Sequence, residues 1–212
     1  MNIASIKFLV LTLTCIIGFS GKSLSVSKKI LGDQSTEKSS KIIVDDKGLV
    51  VLSDTYNYSA LKIYNLDHST WKSFKINDEF NDKQIQPYAL KADNGTLVFR
   101  CVGETAAYYA VIVHESKHII KYIKKTDIVF KQESWRKHLL NVFAVDFDQK
   151  KNPLKVSANG TTSVKYEKDA FYSPLKVTGD WIQLKSQDSG RIGWIKWKDQ
   201  TGQLLIDLYY EA

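Results

Sequence analysis

A mostly β protein in two parts is what this sequence predicts, on three observations. Aromatic residues reach 12% while proline occurs three times, a balance that favours aromatic-rich sheets over helical bundles or proline-rich linkers. Short apolar runs recur between turn signals such as Asp93-Asn94-Gly95 and Gly179-Asp180. One segment alone has clear helical spacing. The expected architecture is a β-rich domain with one short helix over residues 41–148, then a small β-barrel over 150–212. Hydrophobic residues make up 43% of the 212 positions, enough for a core and against global disorder.

The start of the chain reads as a targeting segment. Lys7 precedes a nearly unbroken apolar run from Phe8 to Phe19, and Gly18 and Ser20 put small residues where a signal peptidase reads. Residues 1–20 are therefore expected to be a signal peptide cleaved near Gly21, too short to span a membrane comfortably. No transmembrane segment is expected in the mature chain. Thr14 and Thr12 stand where a lipobox needs a small and an aliphatic residue, so lipidation of Cys15 is not expected. The serine-rich stretch 21–40 reads as a flexible leader.

The first domain should open with a hairpin, Lys41–Val44 and Leu49–Leu52 around Asp45-Asp46-Lys47-Gly48. Leu61–Tyr64 and Trp71–Ile76 form a second pair, and residues 77–86 a polar loop. Asn94-Gly95 joins Tyr88–Lys91 to Thr96–Val102, because both turn residues tolerate positive φ. Ala107–Val113 is apolar on both parities and should be a central strand, turning through Ser116-Lys117-His118 into Ile119–Ile123. Gln132–Asn141 places Trp135 and Leu139 four apart on one helical stripe. Phe143–Phe147 returns as a strand. Residues 148–153, polar with Pro153, mark the expected boundary.

Past the boundary come short β segments at Leu154–Val156, Ser163–Tyr166, Phe171–Val177, Trp181–Lys185, Arg191–Trp197 and Leu204–Tyr209. Three of the five tryptophans fall within residues 181–197. Under strand alternation Trp181 shares a face with Gln183 and Lys185, while Ile182 and Leu184 take the other. Trp181 is thus the leading candidate for an exposed ligand platform, since an indole offers a flat apolar face and one N–H donor. Trp194, Trp197 and Tyr172 complete the candidate ligand-binding set.

Asp180-Trp181 entering a strand, Gly190 in the next turn and Gly193-Trp194-Ile195 in the following strand resemble the bacterial SH3-like domain. The resemblance covers the last sixty or so residues, an SH3-like barrel over 150–212. It implies a binding module, with Trp181 where the groove tryptophan of such domains stands. The chain as a whole resembles two-domain exported proteins of Bacteroidota-type bacteria. Lys196 and Trp197 replace the proline and groove tyrosine of signalling SH3 domains, so recognition of proline-rich peptides is not expected.

Other chemistries find little support. Nucleotide-loop, Cys-x-x-Cys and Gly-x-Ser-x-Gly patterns are missing. His114 and His118 straddle a turn, where a spacing of four need not aim both at one metal. Asp146 and Asp148 share a strand face but have no identifiable partner for acid–base work. Cys101 follows the parity of Leu97 and Phe99 and reads as a small buried hydrophobe. The sequons at Asn94 and Asn159 precede glycine and are explained by turns. The formal charge is +7, and +6 once Lys7 is removed. Lysines spread over many turns point to a soluble charged surface rather than nucleic-acid binding, and leave room for attraction to acidic envelope polymers. The expectation is a non-catalytic exported protein, periplasmic or extracellular, without cofactor or metal. Its SH3-like module would bind a peptide, glycan or protein of the bacterial envelope. The alternative is an envelope hydrolase with its active site in residues 41–148.

Overall fold

A computed structural model describes residues 42–44 and 47–211. The expected signal peptide, leader and Cys15 lie outside the described residues. The protein is mostly β, with thirteen strands and one short helix among the described residues. The strands are β1 (Leu49–Leu52), β2 (Leu61–Tyr64), β3 (Thr70–Phe74), β4 (Ala89–Lys91), β5 (Thr96–Glu104), β6 (Tyr108–His114), β7 (Ile119–Lys124), β8 (Phe130–Glu133), β9 (Ala144–Phe147), β10 (Tyr172–Thr178), β11 (Trp181–Ser186), β12 (Ile192–Lys196) and β13 (Ile206–Tyr209). The helix, α1, spans Trp135–Asn141. No described helix is long and apolar enough to cross a membrane.

The first sheet runs β3-β2-β7-β6-β5-β1-β8, with β4 also paired to β5. The hairpins at β2–β3, β4–β5 and β6–β7 fall where turn chemistry places them. Strand β1 lies between β5 and β8 and is buried on both faces. Leu49 and Val51 point into one core, Val50 and Leu52 into another. That two-sided burial is why Leu49–Leu52 is apolar at every position.

Several local expectations fail, among them the β segments at Leu154–Val156 and Ser163–Tyr166, which are reduced to isolated bridges of Lys155 with Ser163 and Trp194. Residues 42–44 do not fold back on β1: Ile43 bridges Gln203, and Leu204 N donates to Ile42 O at 2.9 Å. The helix is also shorter than its periodicity suggests. Phe130–Glu133 pairs with β1 instead, and Ser134 caps the helix by accepting from Lys137 N at 3.2 Å. A capping serine at this point lets the chain switch from extended to helical. Trp135 and Leu139 are buried as the stripe requires, whereas Leu140 is 39% exposed.

The second sheet runs β12-β11-β10-β9-β13. It is an open path, not a closed barrel. After β12 the chain turns through residues 198–204, and a single bridge, Lys198↔Leu204, links that turn in place of a closing ladder. The sheet also does not begin at residue 150. Strand β9, ahead of the polar stretch 148–153, pairs with both β10 and β13. One core cluster joins Leu49, Val51 and Val98 to Trp135, Leu139, Ile182, Leu184 and Ile195. Apolar burial thus runs across the stretch at which the sequence suggested two separate cores.

Candidate functional site

The hairpin β11–β12 places the tryptophans. Its register sets Trp181 opposite Lys196, Gln183 opposite Trp194 and Lys185 opposite Ile192. Residues directly opposite in an antiparallel pair share a face. Trp181, Gln183, Lys185, Ile192, Trp194 and Lys196 therefore form one outward surface, while Ile182, Leu184 and Ile195 are fully buried beneath. Both Trp181 and Trp194 are half-buried. Strand β10 extends this surface with Lys176, opposite Gln183, and Thr178, opposite Trp181.

A further segment completes it. Lys155 bridges Trp194 through two backbone hydrogen bonds, Lys155 N to Trp194 O at 2.9 Å and Trp194 N to Lys155 O at 2.8 Å. This is possible because Leu154 is buried against Gly193. A Cβ at position 193 would lie 2.5 Å from Leu154 Cγ, so glycine is required by close approach. Seated there, Lys155 puts its ammonium 5.4 Å from the Trp181 ring centre, and Lys196 places its own at 5.6 Å. Both are within cation–π range.

Two of the four expected ligand residues belong to the core. Trp197 is 5% exposed, and its Nε1 donates to Gly179 O at 2.9 Å. Tyr172 is fully buried, stacked on Tyr166 at 5.7 Å, and its Oη accepts from Glu167 N at 2.9 Å. Parity explains Trp197, which follows Gly193 and Ile195 inward. Trp181 and Trp194 remain as surface candidates.

Away from this face, a cleft of about 520 Å³ lies where β1, the β4–β5 turn, α1 and the C-terminal segment meet. Tyr58 stands on its rim, 60% exposed. In its floor the buried Glu133 and His138 meet at 2.6 Å, Oε1 to Nδ1, and His138 Nε2 meets Tyr210 Oη at 2.8 Å. Burial alone would raise the Glu133 carboxyl. The hydrogen bond and charge of His138, helped by Lys137 and Lys131, hold it below the usual carboxylate range. Burial, with Tyr88 and Glu133 nearby, pushes the Tyr210 phenol well above its ordinary value, so it stays protonated. Both ring nitrogens of His138 are engaged, and the relay ties the helix to the C-terminal segment. Sequence periodicity gave no sign of this pairing, in which the His138–Tyr210 link alone spans 72 positions.

The remaining polar candidates are dispersed. His114 is buried at the end of β6, its Nδ1 at 3.4 Å from Ser116 Oγ, while His118 is exposed in the turn. Asp146 lies opposite Asp207 on β13, and Asp148 accepts from Lys150 N in the next turn. Crowding by surrounding protein, then the Asp146 charge, raises the Asp207 carboxyl. Cys101 is fully buried. Among the described residues no group of three or more His, Cys, Asp or Glu could hold a metal ion. Comparison with protein-family models, with curated proteins and with solved structures found no match.

Proposed function

We propose that this is a non-catalytic binding protein, exported to the bacterial envelope, whose outward β10–β12 surface recognises a peptide, glycan or protein partner. The observation that carries the reading is the pair of half-buried indoles on an open sheet face, one flanked by two ammonium groups. Aromatic side chains with one wet face are a common anchor for recognition. The meander of three strands bearing Asp180-Trp181 and Gly193-Trp194-Ile195 supports an SH3-like reading of this half. Export rests on the charged start and apolar run before Gly21.

The test is co-sedimentation of the full chain with envelope fragments from a Gram-negative host. Trp181→Ala and Trp194→Ala should each weaken retention by about 2 kcal/mol, roughly thirtyfold, while leaving the urea midpoint nearly unchanged. The N-terminus of the recovered protein should begin near Gly21. Unchanged retention by both variants would remove this face as the binding surface.

A further inference from the structure

We infer that the ligand of this face is an acidic glycan, a chain of sugar rings bearing carboxylates. The inference rests on the binding-face reading above and names its ligand class.

The first support is a set of cations without counterions. The outward surface carries Lys155, Lys176, Lys185 and Lys196, and no acidic residue occupies an outward position on β10, β11 or β12. Among the described residues none of these four meets a carboxylate. Elsewhere Lys72, Lys125 and Lys131 each do. A local concentration of one sign is unfavourable unless something compensates it, and it raises the local concentration of an opposite charge.

The second support is how Trp181 is used. Two ammonium groups sit within 5.6 Å of one ring centre. The π face offsets part of their mutual repulsion. An anion bound beside them would offset more of it. Trp181 thereby acts as a holder of cations more than as a free platform.

The third support is Trp194. It lies on the same face, half-buried, and no ring or cation stacks on it among the described residues. Directly across the ladder is Gln183, whose amide both donates and accepts. A flat apolar surface beside an amide suits the C–H face and hydroxyls of a sugar ring, and the lysines suit its carboxylate. A polyphosphate would use the lysines and leave Trp194 idle. A lipid surface would use the lysines with Ile192 and leave Gln183 idle.

The experiment titrates the full chain with an oligogalacturonate, a neutral glucose oligomer, inorganic polyphosphate and phosphatidylglycerol vesicles, at low and high salt. Calorimetry and tryptophan fluorescence are the readouts. The oligogalacturonate should bind, and weaken by about tenfold or more as salt screens the lysines. The double substitution Lys155→Gln/Lys196→Gln should cost about tenfold or more, as should Trp194→Ala, with urea midpoints near that of the parent. Equal affinity for the neutral oligomer overturns the inference. So does polyphosphate binding at least as tight as uronate binding and indifferent to Trp194→Ala, which would mean charge attraction alone. Binding to vesicles only assigns the face to a lipid surface. If the uronate fails while the tryptophan variants still lose retention on envelope fragments, the ligand class falls and the binding-face reading stands.

Discussion

Gly193→Ala is the sharpest test of how the outward surface is built. The added Cβ would lie 2.5 Å from Leu154 Cγ, 2.7 Å from Cδ1 and 3.0 Å from Cδ2. Leu154 is fully buried, so it cannot swing into solvent to relieve the contact. The near atom is the branch carbon, so a rotamer change must move the whole side chain. Overpacking of this kind costs about 1–3 kcal/mol. With a urea slope of about 2 kcal/mol per molar, the midpoint should fall by roughly 0.5–1.5 M. The assay is equilibrium unfolding of the full chain, followed by tryptophan fluorescence. A companion cycle sharpens it. Leu154→Ala alone should cost about 2–5 kcal/mol by leaving a cavity. In the double variant the new methyl occupies part of that space, so the combined cost should fall short of the sum by about 0.5–3 kcal/mol. An unchanged midpoint for Gly193→Ala, or strict additivity in the cycle, would refute the close approach. It would also remove the reason given for Lys155 reaching Trp181.

Two further outcomes follow from burial and charge. Trp197→Ala should lower stability by about 3–5 kcal/mol in urea unfolding, whereas Trp181→Ala should cost far less, because Trp197 is a core plug and Trp181 is not. Similar midpoints for the two would undo the assignment of faces. Glu133→Gln should cost about 1–3 kcal/mol at neutral pH, since it removes a charged partner from the buried His138. Glu133 has a lowered folded-state value, so its contribution is complete above the ordinary glutamate value of about 4.3 and is lost as pH falls through the lower folded value. The stability gap between parent and variant should therefore close below about pH 4.3, and a gap that persists to the lowest pH would show that ionisation of Glu133 is not its source.

Local chemistry in the sequence determined most strands and turns. The Asp93-Asn94-Gly95 stretch marks its hairpin, although only Gly95 of the Asn-Gly pair takes a positive φ, and Leu49–Leu52 announces two-sided burial by its unbroken apolar run. Parity on β11 and β12 was enough to put Trp181 outward, and it also carried the sign that Trp197 turns inward with Gly193 and Ile195. Tyr172 gave no such sign, since its burial depends on Tyr166 and Phe147 arriving from other segments. Tertiary structure alone decided that Phe130–Glu133 is a strand, because the empty edge of β1 competes with the helical periodicity and wins. It alone decided that β9, ahead of the polar stretch 148–153, joins the second sheet. The Glu133–His138–Tyr210 relay and the meeting of Lys155 with Trp181 are likewise tertiary. Each joins segments distant in the chain through charge or packing, and such pairings leave no periodicity for a sequence to display.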